Sequence, residues 1–227
     1  PDTRGIGVYT QRELDALVFN VHKRAMPVAI HAIGDGAIEM SLNAIERAQR
    51  LLPGVSPRHG IVHCQITDQA LLRRFAQLGV TAFIQPVFID SDMDICASRV
   101  GERLTSTSYA WKDMLDMGIC APFGTDCPVE SFDVRRGLWC AVTRMSADGK
   151  RGPFLPDQAI DVARAVYAYT YLGAVAEGTE HVKGMIRPGM LADFAVWDRN
   201  ILEQPCDSIL RANVTDTFVG AKHVFCR

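Results

Sequence analysis

No stretch of the chain approaches the run of about 18 apolar residues that a membrane helix needs. A signal-peptide pattern is lacking at the start, where Pro1-Asp2-Thr3-Arg4-Gly5 stands without an initiator Met. Charge of one sign is lacking too. The 24 Lys and Arg nearly offset 26 Asp and Glu, leaving a net −2, and the two signs are interspersed. A nucleic-acid groove would need a basic stripe, and a solvated tail a charge block; neither is present. No Cys-x-x-Cys pair occurs among the seven cysteines, and Cys64, Cys120 and Cys140 lie inside apolar segments. Such usage suits reduced, mostly buried thiols in a cytoplasmic protein, not a disulfide framework. Internal repeats and low-complexity tracts are missing as well.

What is present is an ordinary globular composition, 48% hydrophobic and 22% charged over 227 residues. That length is enough for one large domain or one and a half small ones. The organising element is the stretch from Pro27 to Asp35: a short apolar run that carries His31 and stops at Gly34. A buried strand ending on a histidine, with a helix start behind it, is how α/β proteins present a reactive side chain.

The rest of the chain repeats that design. Thr10 and Glu13 form a capping box ahead of Leu14, Leu17, Val18 and Val21. After the strand at 28–33, Asp35 is a candidate N-cap for a helix with Ile38, Leu42, Ile45 and Leu52 on one face. A second strand is expected at 60–65. Thr67 or Asp68 then caps a helix carrying Leu71, Leu72, Phe75 and Leu78, stopped by Gly79. The third strand is placed at 80–85. A long loop to about Ser108 follows, a candidate lid. A short helix is expected near 110–117, a fourth strand at 119–123, and helices at 133–144 and 160–176. Pro188-Gly189 signals a hairpin between two extended runs, and 214–225 a strand pair turning at Gly220.

Alternating strand–helix units imply a parallel sheet with helices outside it. Their spacing of roughly 30 residues fits a (β/α)₈ barrel, of which four units are visible. The expected fold is therefore α/β, the C-terminal half of a barrel (strands 5–8 with their helices) over residues 1–180. A short β tail follows over 181–227.

Three of the four strand ends carry candidate metal ligands: His31, His63 and Asp126. Imidazole nitrogen and carboxylate oxygen suit zinc or a similar divalent ion, and residues distant in sequence converge at one face of a barrel. The other histidines read differently. His59 precedes its strand and reads as structural, His22 as solvated among Lys and Arg, and His181 and His223 as surface residues. Cys127 is expected as a small buried residue in a turn. Glu130 and Asp133 should start the next helix. Asp90, Asp92 and Asp94 lack the Gly and distal Glu of a calcium loop and read as a solvated loop. Trp111, Trp139 and Phe132 are candidate pocket walls, with a core role favoured.

At these residues the chain resembles a known family. His31–Asp35, Arg58–Gln65, Phe123–Glu130 and Gly184–Phe194, in this order, are similar to motifs of the metal-dependent amidohydrolase superfamily, in the branch called amidohydrolase family 3. The resemblance covers almost the whole chain. It implies a (β/α)₈ barrel with a small β-sandwich, to which the Pro-Gly turn returns the chain. It also implies that His31 and His63 are the fifth- and sixth-strand ligands of one or two divalent ions, most simply zinc. Asp126 becomes the eighth-strand ligand and the general base, then acid, in hydrolysis of a small amide-type substrate. The loops 86–108 and 145–156 would border the pocket. Two departures stand out. The family's His-x-His and bridging Lys are absent, and Val62 stands where an acidic residue usually precedes the sixth-strand His. These lead to two further expectations: a homo-oligomer or a missing N-terminal half, and, as the rival reading, a non-catalytic fragment with a structural or regulatory role.

Overall fold

A computed structural model describes residues 5–203 and 205–227. The protein is a mixed α/β chain that divides into two units, one containing residues up to 84 with 92–121, the other 85–91 with 122–227.

The first unit alternates helix and strand. Helix α1 (Gln11–His22) starts at the predicted capping box: the Thr10 hydroxyl accepts from the Glu13 N–H, and the Glu13 carboxylate accepts from the Thr10 N–H at 2.8 Å. Its inward residues, Leu14, Val18 and His22, recur every four positions. Strand β1 (Ala29–Ala32) leads into α2 (Asp35–Leu51), which buries Ile38, Leu42 and Ile45. Strand β2 (Gly60–His63) leads into α3 (Gln69–Leu78). There the Asp68 carboxylate accepts from the N–H groups of Ala70 and Leu71, and Gly79 ends the helix at φ +63°. Strand β3 (Thr81–Phe83) completes a parallel sheet in the order β1-β2-β3. Gly60 is required at the β2–β3 contact, because a Cβ there would lie 2.3 Å from the Phe83 ring.

Beyond β3 come a 3₁₀ turn (Pro86–Phe88), α4 (Ile89–Asp92), α5 (Cys96–Thr105) and α6 (Trp111–Asp116). The second unit holds α7 (Val134–Thr143), α8 (Val162–Tyr169) and α9 (Tyr171–Glu177). It ends in an antiparallel sheet of β4 (Phe194–Trp197), β5 (Val214–Val219) and β6 (Lys222–Cys226), with the short α10 (Ser208–Arg211) before β5. Asp133 caps α7. Asp90 anchors that helix and the 145–156 loop by ion pairs to Arg136 at 3.0 Å and Arg151 at 2.9 Å. Among the described residues no helix is long and apolar enough to cross a membrane.

Several expectations are corrected. The 86–108 segment is mostly helical. Its periodicity is weak because Gly101, at φ +79°, interrupts α5. Asp90 and Asp92 are engaged in ion pairs or hydrogen bonds and do not simply face solvent. The expected fourth strand reduces to an isolated bridge at Phe123 and one bond from the Ala82 N–H to the Cys120 carbonyl. Pro122 has no N–H to continue a ladder. The helix at 160–176 is divided at Thr170, whose hydroxyl bonds back to the Val166 carbonyl. Of the two runs around Pro188-Gly189 only the second is a strand, and it pairs with β5. Phe132 is 80% exposed and not core.

His22 is the sharpest correction: it is fully buried, because the helical register that turns Leu14 and Val18 inward carries it with them. Its Nδ1 lies 2.9 Å from Nε2 of His59, which is also buried. The Val28 N–H donates to His59 Nδ1, and His22 Nε2 faces the Leu52 carbonyl. A carbonyl only accepts and an N–H only donates. His22 Nε2 therefore carries a proton, His59 Nδ1 does not, and the proton between the rings belongs to His59 Nε2. This directed chain ties α1, α2 and the starts of β1 and β2 together with neutral rings.

Burial, and secondarily the neighbouring His22, holds the His59 pKa down to about 4. The unfolded chain thus binds a proton, near the ordinary 6.5, that the folded chain refuses. The contribution of this ring to stability is complete above pH 6.5 and is lost as pH falls toward 4. Urea unfolding as a function of pH should show the loss, on the order of 3 kcal/mol at most. A His59→Asn variant should lack that part of the slope.

Candidate active site

Partnered residues of a parallel ladder point to the same side, and successive residues alternate. Ala29 and His31 therefore share a face with Gly60 and Val62, and Ala32 shares the opposite face with Ile61. Ala32, Ile61 and Ala82 are buried, so this second face is the covered one. Alternation alone would send His63 after Ile61 onto the covered face, away from His31. The side chains do the opposite. The rings of His31 and His63 meet edge to face, with centroids 4.5 Å apart and planes at 74°.

The backbone supplies the reason. His63 has φ +80° and Cys64 φ +50°, left-handed values rare for residues with a Cβ. The alternation is broken at the last residue of β2, and the imidazole swings across to the end of β1. Each such residue costs on the order of 1–3 kcal/mol and persists only where its surroundings enforce it. Here the Cys64 N–H donates to the Ala32 carbonyl at 3.2 Å and the Ile66 N–H to the Ile33 carbonyl at 3.0 Å. The turn therefore stays fastened to β1. His31 is exposed, while His63 is 6% exposed.

Asp126 belongs to the second unit. It is half-buried, also left-handed at φ +60°, and its carbonyl accepts from the Val129 N–H at 2.8 Å. Cys127, beside it, is exposed and not buried as expected. Glu130 and Asp133 engage Arg136 and Arg135, at 3.7 and 2.7 Å. The structure brings His31 and His63 together. Among the described residues no three His, Cys, Asp or Glu side chains gather into a group that could hold a metal ion. Two adjacent imidazoles at strand ends suit two nitrogen ligands of a zinc-type ion and leave the remaining ligands to other residues.

One constellation escaped the sequence reading. Oδ2 of Asp92 accepts from Gln65 Nε2 at 3.1 Å and from the Tyr109 hydroxyl at 2.8 Å, and the Tyr109 N–H donates to the Gln65 carbonyl at 2.7 Å. The partners of Asp92 lie 27 and 17 positions away in the chain, so no local pattern could have marked the group.

Comparison with known proteins decides the family. The model of the amidohydrolase family, in its branch 3, matches residues 2–225. The chain belongs to this family. It is similar to a Bacillus subtilis (strain 168) protein named as an amidohydrolase, YtcJ, at 34% identity over 86% of this chain and 37% of that protein. An N-substituted formamide deformylase of Arthrobacter pascens is 26% identical over 95% of this chain and 39% of that enzyme. The crystal structure of an uncharacterized metal-dependent hydrolase from Pyrococcus horikoshii OT3 superposes with a TM-score of 0.79. It is 30% identical over 91% of this chain and 41% of that one. The chain thus spans about two fifths of the length of each of these proteins.

The environment of the cysteines makes a test of the site's packing. Cys64 is wholly buried beneath the His63 turn, and burial raises its pKa well above the ordinary thiol value; burial likewise pushes Cys140 up to about 12. Cys127, Cys206 and Cys226 are exposed. Titration with a thiol reagent should label those three promptly. Cys64 and Cys140 should react only on unfolding, and prompt labelling of Cys64 would mean that the turn is open.

Proposed function

We propose that the chain is the C-terminal part of a metal-dependent hydrolase that cleaves non-peptide C–N bonds of the amide type. The observation that carries this reading is the edge-to-face pair of His31 and His63 at neighbouring strand ends, in a chain of the amidohydrolase family. The parallel order β1-β2-β3, with helices between strands, supports reading it as strands 5–7 of a (β/α)₈ barrel. The antiparallel β4-β5-β6 sheet would then belong to the accompanying sandwich. The name of the Arthrobacter relative supports an amide-type substrate.

In this reading His31 and His63 hold a divalent ion, zinc by the chemistry of their nitrogens. When bound, the ion supplies a water of lowered pKa and a polarised carbonyl. Asp126 takes the proton from the attacking water as its oxygen bonds to the carbonyl carbon. It returns that proton to the amine nitrogen as the C–N bond breaks. The products are a carboxylic acid and an amine. Asp126, by the family resemblance, would be a further ligand, and the remaining ligands come from residues outside this chain, supplied by an N-terminal half or by an associated chain. The free cysteines support a cytoplasmic setting. A second reading, a fragment with a structural or regulatory role, is favoured by the lack of any three-ligand group among the described residues.

The test uses the full-length protein, its metal content, and hydrolysis of N-acyl and N-formyl amines. Asp126→Asn should lower kcat by roughly 10²–10⁴-fold. His31→Asn and His63→Asn should each deplete bound metal. Unchanged metal and activity in all three would refute the site. Metal-free, inactive protein would favour the second reading.

A further inference from the structure

The left-handed turn at His63–Cys64 needs something to hold it, and a hydrogen-bonded group lies immediately beyond it. Gln65, 7% exposed, is the second residue after His63. Its side-chain amide donates to Oδ2 of Asp92, its carbonyl accepts from the Tyr109 N–H, and the Tyr109 hydroxyl closes the ring on the same Asp92 oxygen. Tyr109 is itself left-handed at φ +50°, so of the eight left-handed non-glycine residues among those described, one is in this ring and two, His63 and Cys64, immediately precede Gln65. A second pairing lies alongside. The Thr67 hydroxyl donates to the Thr107 carbonyl at 2.7 Å, and the Thr107 hydroxyl to the Thr67 carbonyl at 2.6 Å. The 92–109 segment is thereby fastened to the outlet of β2, with one oxygen of Asp92 accepting from both Gln65 and Tyr109.

We propose that Asp92 is a positioning residue: through Gln65 and Tyr109 it holds the left-handed turn at His63–Cys64, and with it the direction of the His63 imidazole toward His31. The catalytic importance of that direction rests on His63 as a metal ligand, as proposed above; the positioning itself does not. Because one carboxylate oxygen takes both hydrogen bonds, an amide oxygen in its place can take both as well. Asp92→Asn is therefore the conservative rescue, and Asp92→Ala the loss. Thr67→Val removes a neighbouring hydrogen bond without touching Asp92.

The experiment reads the nuclear Overhauser contact between the His31 and His63 rings in full-length, metal-stripped, histidine-labelled protein, with thermal melting followed in parallel. Asp92→Ala should lose the contact, Tyr109→Phe weaken it, Asp92→Asn restore it, and Thr67→Val keep it despite a lowered melting temperature. Should Asp92→Ala fail to fold, Tyr109→Phe decides the matter, since it removes one donor and no volume from the core. Persistence of the contact in Tyr109→Phe and Asp92→Ala overturns the proposal, as does its loss in Thr67→Val. Zinc binding by the unsubstituted protein is measured beside it. Absence of zinc, with the contact still dependent on Asp92, would sink the metal reading and leave the positioning role intact.

Discussion

The geometry of the site depends on one backbone event, the entry of His63 and Cys64 into left-handed conformation at the end of β2. Regular alternation would have placed His63 on the covered side of the sheet. The turn brings the ring to His31, with 4.5 Å between centroids. Such conformations are unfavourable for residues with a side chain, so the surroundings must over-determine them. Bonds from Cys64 and Ile66 back to β1 and from Tyr109 to Gln65 do this from two sides.

The sheet provides the platform. β2 is central and almost wholly buried, and the Gly60–Phe83 contact leaves no room for a larger residue at its start. The directed chain Val28–His59–His22–Leu52 stands where β1 and β2 begin, at the opposite end of the strands from His31 and His63. The histidines of this unit thus divide by strand end. Those at the amino ends are buried, neutral and structural, and those at the carboxyl ends form the candidate centre. That division follows the general placement of function in α/β folds.

Much of this was legible in the sequence because its causes are local. The Thr10–Glu13 box, the Asp68 cap, the Gly79 stop and the apolar periods of α1, α2 and α3 lie within a few residues of what they specify. His31 and His63 were found as strand-end histidines, but nothing local foretold that their rings touch, because the left-handed turn depends on bonds from distant segments. His22 was misread since its charged neighbours in sequence lie on other faces of the helix. Phe132 was misread since aromatic character alone does not decide burial. The 86–108 segment hid its helices behind Gly101. Asp92 was misread since its donors come from positions 65 and 109.

In the proposed function everything turns on a divalent ion held jointly by His31 and His63. The most direct measurement is anomalous diffraction at the zinc edge from crystals of the full-length protein grown with zinc. A peak is expected about 2.0–2.1 Å from one ring nitrogen of each histidine. A peak bound elsewhere, or none while the two rings remain in contact, would contradict it.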